Sequence, residues 1–406
     1  MSELPRVLLI ITQDTKEIEA RFVRRVLESA GVEVVHLDAS IRQTIGGAEI
    51  GPDEVTAAAG TDIQSVRALG HEGKCQDVMI EGAIKAAHDY HAKRPFSGML
   101  AVGGSMGSAM AGALMQSFPY GLPKLIVSTM ASGFTAPYMG VKDIAMMNAV
   151  TDVSGINSIS RDVYRNAALA VAGMAKGYDP EILADRPLVL ITTLSTTEKS
   201  VRRIREALEA DGAEVMVFHS SGAGGQTLDA IAAERDVALV LDLSLTEMVD
   251  HLNGGLADTG PDRGKAGLRR GVPTIFAPGN ADFIIAGPID AARAQFPGKR
   301  YHEHNPQLTA VRTDLPELRA LADHLVTVVA EAKGPVHIFT PLGGFSNHDS
   351  PDGHIQDTSQ PAPFAEYLKS VMPANVPVTA IDAHFNDVAF SDAIIADARA
   401  LLKGQT

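Results

Sequence analysis

The chain has 406 residues, close to half of them apolar, a single cysteine and a formal net charge of -14. That length suits two domains of ordinary size, and the acidic balance excludes nonspecific attachment to nucleic acid or an anionic membrane, both of which need a basic surface. Cys75 alone excludes an internal disulfide and fits a reducing compartment. No apolar run reaches the roughly 18 residues of a membrane span, and the N-terminus lacks the three regions of a signal peptide, so a cytoplasmic protein is expected.

Val7–Thr12 is a continuous apolar run, the pattern of a strand covered on both faces. In the following Gln13-Asp14-Thr15-Lys16, Asp14 or Thr15 can cap a helix beginning near Glu17. The helix ends at Gly31 and Val32–Asp38 supplies the next strand, so the chain opens with a βαβ unit. Such a unit needs a parallel sheet, which binds ligands at the carboxyl ends of its strands. Asp14, Lys16, Asp38 and the turn described next are therefore candidates for one crevice. Residues 45–73 are polar, glycine-rich and without clear periodicity, which reads as an insertion acting as a flap.

A helix over about 76–92 leads to the strand Gly98–Val102 and the turn Gly103-Gly104-Ser105-Met106-Gly107-Ser108. Glycines there let the backbone approach a ligand, and the N–H groups and positive end of the following helix favour a phosphate or carboxylate. The turn lacks the Gly-Lys-Ser/Thr ending of a P-loop and the spaced glycines of the dinucleotide fingerprint. Leu122–Gly133 is a further strand, whose exit offers Ser128, Thr129, Ser132 and Gly133 as donors to a ligand or as turn-capping hydroxyls. A polar stretch holding Tyr138, Asp143, Asp152 and Asn157 precedes a helix over 157–174.

Proline and charge in Tyr178–Pro187 mark a linker, after which the opening pattern recurs. Leu188–Leu194 is a strand, Ser195-Thr-Thr-Glu198 can form a capping box, and Glu214–His219 is the second strand. His219-Ser-Ser-Gly-Ala-Gly-Gly-Gln226 is a second glycine turn, in which His219 can bind phosphate, shuttle a proton or bond the turn backbone. Val237–Ser244, Gly271–Asn280, Val336–Leu342 and Val376–Asp382 complete a second sheet, with Asp242, Asn280 and Asp282 near strand ends. The stretch Gly343–Pro363 between the last two strands reads as a long surface loop.

The first glycine turn, Pro123–Gly133 and His219–Gly225 together resemble one family, that of the ATP-binding N-terminal domain of the plant tobamovirus-resistance protein and its bacterial and fungal relatives. The likeness spans nearly the whole chain, through Asp14-Thr15-Lys16, Asn166-Ala-Ala, Asp242-Leu with Glu247, Gly254-Gly255 and Gly260-Pro-Asp-Arg263. It continues through His304-Asn-Pro-Gln-Leu-Thr309 with Arg312-Thr313, Pro341–Ser346 and His384-Phe-Asn-Asp387. The resemblance implies two Rossmann-like α/β domains with parallel sheets, 1–184 and 185–406, and an interdomain cleft. It implies ATP or a related phosphorylated ligand in that cleft, and a homo-oligomer. Met106 and Ser108 stand where relatives usually carry Gly and Thr, which narrows the first turn. The chain ends where the shared module ends, so the further barrel domain of some relatives is not expected.

The expected ligand-binding residues are thus Asp14, Thr15, Lys16, Gly103, Gly104, Ser105, Gly107, Ser128, Thr129, Ser132, Gly133, Gly222, Gly224, Gly225 and Arg312. Two facing cradles imply closure about a hinge at Asp179–Pro187. Asp242, Glu247 and Asp262 suit Mg²⁺ held with phosphates, or acid–base work. The rival expectation is a metabolic enzyme for a small carboxylate, with His219, His304 and Asp242 as catalytic groups and Arg312 as the carboxylate clamp. Arg312 equally suits an ion pair that fixes the domain interface.

His302-Glu-His304 offers two imidazoles and a carboxylate to a metal, and residues two apart on a strand share a face. With no third ligand at a recognisable spacing, no metal site is assigned. His348, Asp349, Asp352 and His354 read as solvated loop residues. Cys75, alone, reads as inert.

Overall fold

The alternation of side chains along short apolar strands decides how each half is layered. The computed structural model describes residues 4–180 and 186–404, and the chain divides into two units, Met1–Leu183 and Ala184–Thr406. The linker and hinge expected at 178–187 lie in part outside the described residues.

In the first unit, β1 (Arg6–Ile10), β2 (Glu33–Leu37), β3 (Gly98–Gly103), β4 (Lys124–Ser128) and β5 (Ile144–Asn148) form one parallel sheet in the order β2-β1-β3-β4-β5. Successive side chains leave a strand on opposite faces. Leu8, Met99 and Ile126 therefore pack with residues of the helices Glu72–Lys93 and Ser105–Gln116. Val7, Leu9, Leu100 and Val127 pack with the helices Gln13–Ser29 and Ser158–Gly177. Both faces of β1, β3 and β4 are covered, which is why their central residues are apolar. Strand order reverses between β1 and β3, and outside the carboxyl ends of strands at such a reversal an α/β sheet leaves a crevice.

The insertion expected as a flap is instead packed. Its helices Pro52–Ala58 and Ile63–Ala68 bury Val55, Ile63 and Val66 in the first core. The packing is close: a Cβ on Gly82 of the long helix would lie 2.0 Å from the Val55 carbonyl oxygen. Helices of one or two turns hold too few residues to display a 3.6-residue period. The first helix also starts earlier than expected, at Gln13, but Lys16 breaks it with φ -138° and ψ 36°.

The second unit repeats the plan with additions. Its strands are β6 (Leu188–Thr193), β7 (Glu214–His219), β8 (Leu239–Ser244), β9 (Thr274–Gly279), β10 (Phe283–Ala286), β11 (Tyr301–Asn305), β12 (Leu308–Arg312), β13 (Val336–Pro341) and β14 (Val378–Ile381). Six of them form a parallel sheet in the order β14-β13-β9-β8-β6-β7, with its reversal between β6 and β8. The other three form an antiparallel ribbon, β10-β12-β11, which lies outside the expected alternation of strand and helix. The expected capping box at 195–198 does not form. Thr197 precedes the helix Glu198–Ala210, and its hydroxyl bonds the Leu194 carbonyl and the Asn280 amide oxygen. Among the described residues no helix is long and apolar enough to cross a membrane.

Candidate functional site

A crevice of about 560 Å³ opens at the carboxyl ends of β1, β2 and β3, within the range of roughly 300–1,000 Å³ typical of small-molecule sites. Asp14, Thr15 and Lys16 line it from the exit of β1, Ile41, Arg42 and Arg67 from the connection after β2, and Gly104, Ser105, Met106 and Gly107 from the turn after β3. Six expected binding residues thus meet in one place: Asp14, Thr15, Lys16, Gly104, Ser105 and Gly107. Asp38 is consumed internally, since its Oδ1 accepts from the backbone N–H groups of Gln13 and Ser40 at 3.0 and 3.1 Å. That carboxylate, with the Ser40 hydroxyl on the Asp14 N–H, caps the start of the helix Gln13–Ser29 from within the fold.

The start of the helix Ser105–Gln116 is different, because no side chain caps it among the described residues. Gly103 is required by the turn itself, as a Cβ there would come within 2.9 Å of the Gly107 Cα. A Cβ on Gly104 would find only the Thr129 hydroxyl, at 3.8 Å. Three cations border the same space. Among the described residues Lys16 Nζ reaches no acceptor but the neighbouring Thr15 hydroxyl, at 3.2 Å, and Arg42 pairs loosely with Glu72 at 3.7 Å. Arg67 donates through Nε to the Ile41 carbonyl at 2.6 Å, while its Nη2 is buried without a hydrogen-bond partner among the described residues. Cys75 also lines the crevice, but its buried thiol donates to the Val66 carbonyl at 3.1 Å.

The hydroxyl-rich exit of β4 divides. Ser128 is buried, its Oγ 2.5 Å from the Ser108 Oγ and accepting from the Met130 N–H, so it serves the turn. Thr129 and Ser132 line a separate hollow of about 290 Å³ with Asn148, Val150, Thr151 and Asp152, in which Val150 adopts a left-handed φ of 64°. Gly133 is exposed and lines neither space.

The second glycine turn is already filled. The N–H groups of Gly222 and Gly225 donate to Glu247 Oε1 at 2.8 and 3.0 Å, so the anion in this cradle is a side chain of the protein. A Cβ on Gly225 would lie 1.8 Å from Glu247 Oε2, and one on Gly224 would lie 1.9 Å from the His219 carbonyl. The reading of Gly222, Gly224 and Gly225 as ligand-binding is therefore corrected. Glu247 Oε2 in turn accepts from Arg263 Nε at 2.6 Å, and Arg263 binds Asp242 through both terminal nitrogens at 2.8 and 3.0 Å. All three side chains are buried. Asp242, occupied by Arg263 and by the Thr192 hydroxyl at 2.8 Å, has no face left for proton transfer or Mg²⁺. Asp262 is exposed and pairs with Lys265 and Arg269. Burial pushes the neighbouring Asp229 up to about 6, against the pull of Arg263.

The expected catalytic histidines are not brought to this network. His219 is exposed at the end of β7, an edge strand, and His304 is exposed on β11 of the ribbon. Arg312 is fully buried and paired with Asp349 at 2.9 Å, with Asp282 at 3.9 Å, so it acts as an internal counter-ion. None of its three guanidinium nitrogens makes a hydrogen bond among the described residues, so Asp349 holds it as an ion pair. Asp349 is thus no solvated loop residue: its carboxylate holds Arg312 and accepts from the N–H groups of Phe345 and Asp357.

Two doubly wound units, each with its strand order reversing beside the first strand of its sheet, define a tandem Rossmann-like α/β protein. The chain belongs to the uncharacterised protein family UPF0261, with residues 5–180 matching its N-terminal domain and residues 186–402 its C-terminal domain. It is 32% identical over 397 residues to a UPF0261 protein of Clostridium tetani, covering 96% of this chain and 97% of that one. It is 32% identical over 405 residues to one of Mesorhizobium japonicum, covering 97% and 98%. It is also similar to the ToMV resistance protein Tm-1 of Solanum lycopersicum, 29% identical over 425 residues that span 97% of this chain and 55% of the tomato protein.

Proposed function

We propose that this protein binds ATP or a related phosphorylated ligand in the crevice of its N-terminal unit. One observation carries the reading: the uncapped start of the helix Ser105–Gln116 opens into a crevice that Arg67 also lines, and the buried Nη2 of that guanidinium has no hydrogen-bond partner among the described residues. Helix N–H groups, the positive helix end and an arginine fork all favour phosphate oxygens over water. Ile41 and Met110 supply an apolar wall for the uncharged part of the ligand. Mg²⁺ would arrive with the phosphates, and Asp14 and Glu72 supply carboxylates to the crevice lining. The net charge of -14 makes these local donors necessary, because the overall field repels an anion. Assembly into a homo-oligomer belongs to the same reading and is checked by sedimentation.

Calorimetric titration with ATP, with and without Mg²⁺, tests the proposal. Saturable micromolar binding by the native chain, lost in Gly104→Asp, is the expected result. Gly104 has room for a side chain, so this variant places a carboxylate at the cradle without disturbing the turn. An absence of binding at millimolar ATP, or binding that Gly104→Asp leaves intact, overturns it.

A further inference from the structure

We propose that His302, His304 and His348 of the second unit form a binding site for a divalent transition-metal ion of the Zn²⁺ class. The three residues each present a ring nitrogen, and these nitrogens all lie within 4.8 Å of one another. Tetrahedral coordination at Zn–N distances of 2.0–2.1 Å asks for nitrogens about 3.3 Å apart. Small rotations of the imidazoles close that difference.

The fold explains the convergence. His302 and His304 sit two apart on β11, and the pairing with β12 shifts between Glu303 and Asn305. Such an irregularity re-aims the side chain at that place, here His304. The third imidazole comes from the loop after β13, through the short turn Asn347–Asp349. That turn is anchored on both sides of His348: the Ser346 hydroxyl accepts the His348 N–H at 3.1 Å, and Asp349 holds the buried Arg312 of β12. Arg312 and the two histidines thus belong to adjacent strands of one ribbon, and the Arg312–Asp349 ion pair fixes the loop that carries His348 against it.

The environment of the rings points the same way. His302 lies 4.4 Å from His348 and 4.7 Å from a fourth imidazole, His354, between ring centroids. None of these rings makes a hydrogen bond or an ion pair with a carboxylate among the described residues. Neutral imidazole, with a lone pair on one ring nitrogen, is the form that ligates metal. An all-imidazole set suits Zn²⁺, Co²⁺, Ni²⁺ or Cu²⁺ and not Mg²⁺ or Ca²⁺, which take oxygen ligands. Three protein ligands leave a fourth position for water or a substrate oxygen, the pattern of catalytic and not structural zinc. This site is independent of the N-terminal crevice.

The test uses the untagged full chain, stripped with a chelator and titrated with Zn²⁺ by calorimetry and with Co²⁺ by visible absorption. One equivalent should bind, with the intense Co²⁺ bands of four- or five-coordination. His302→Ala, His304→Ala and His348→Ala should each weaken binding by more than the roughly 10–100-fold that loss of a second-shell partner costs. Glu303→Gln should leave it unchanged. Zn²⁺ should also raise the melting temperature of the native chain but not of His348→Ala, which separates a lost ligand from a damaged fold. No stoichiometric uptake overturns the proposal. So does uptake that His348→Ala leaves intact, since the two imidazoles of β11 would then account for it.

Discussion

The two glycine turns look alike in sequence and differ in what fills them. Gly103–Gly107 follows β3, beside the reversal of its sheet, and leads into an uncapped helix that faces open space. The turn at 222–225 follows the edge strand β7, and its N–H groups hold the carboxylate of Glu247. In the second unit the strand placed like β3 is β8, and its exit carries buried Ser244, Glu247 and Asp250 where the first unit has a crevice. Glycines with free N–H groups before a helix specify that an anion will sit there. Whether that anion is a ligand or a carboxylate of the chain depends on residues far along the sequence, here Glu247, 22 positions after Gly225.

The strongest way to break this comparison is to empty the filled cradle. Glu247→Ala leaves Arg263 with a buried charge short of one partner and strands two N–H groups, a loss of about 3–5 kcal/mol for a broken buried pair. Urea unfolding should show it, and a loss under 1 kcal/mol would mean the network is not structural. Gly225→Ala comes next. Its Cβ would meet Glu247 and Arg263 at 1.8 and 2.2 Å, and overpacking of this kind costs about 1–3 kcal/mol. A neutral result would show that the ion-pair network yields easily.

Local pattern made most of the fold readable. The strands buried on both faces, β1 to β4 with β6, β8, β9 and β13, announce themselves as apolar runs between turn residues. β5 does not: Ile144 is buried, but the rest of the strand alternates between exposed and half-buried, and the stretch reads as a polar connection. The ribbon was hidden for a related reason, since β11 is His- and Glu-bearing and largely exposed. At the site level, the crevice follows from the rule about strand ends, and so six of its residues could be named in advance. The plug in the second cradle and the third imidazole beside His302 and His304 could not, because each is a contact between segments far apart in sequence. Arg67, the cation with an unpartnered nitrogen, escaped notice inside a segment read as a flap.

A smaller effect separates the two units by pH. Burial raises the Asp250 carboxyl to about 7, although it accepts from the N–H groups of Ile285 and Ala257. A carboxyl that keeps its proton longer when folded than when unfolded contributes stability that is full below its ordinary value of 3.8 and is lost as pH rises through about 7. Native chain minus Asp250→Asn should therefore gain on the order of 2–3 kcal/mol between pH 7.5 and 5, given about 1.4 kcal/mol per pKa unit. The slope, and not the offset between the two proteins, is the reading. Unfolding curves that run parallel across this range would show that Asp250 is ionised in the folded protein.

The smallest effect on stability is the most informative about ligand binding. Gly104→Ala adds a methyl group whose only near neighbour is the Thr129 hydroxyl, at 3.8 Å, and Gly104 has an ordinary φ of -82°. The change should cost no more than about 1 kcal/mol, the difference between glycine and alanine at a helix N-cap. Gly103→Ala, one residue earlier, should cost more, because its Cβ would meet the Gly107 backbone at 2.9 Å. If both behave so, packing explains the glycine at 103 and does not explain the one at 104. The remaining reason for a bare backbone at 104 is the approach of something from outside the chain. A Gly104→Ala chain that melts like the native protein and yet binds ATP more weakly would place the ligand against that turn. One that binds as well as the native protein would move the phosphate elsewhere in the crevice, towards Lys16, Arg42 and Arg67.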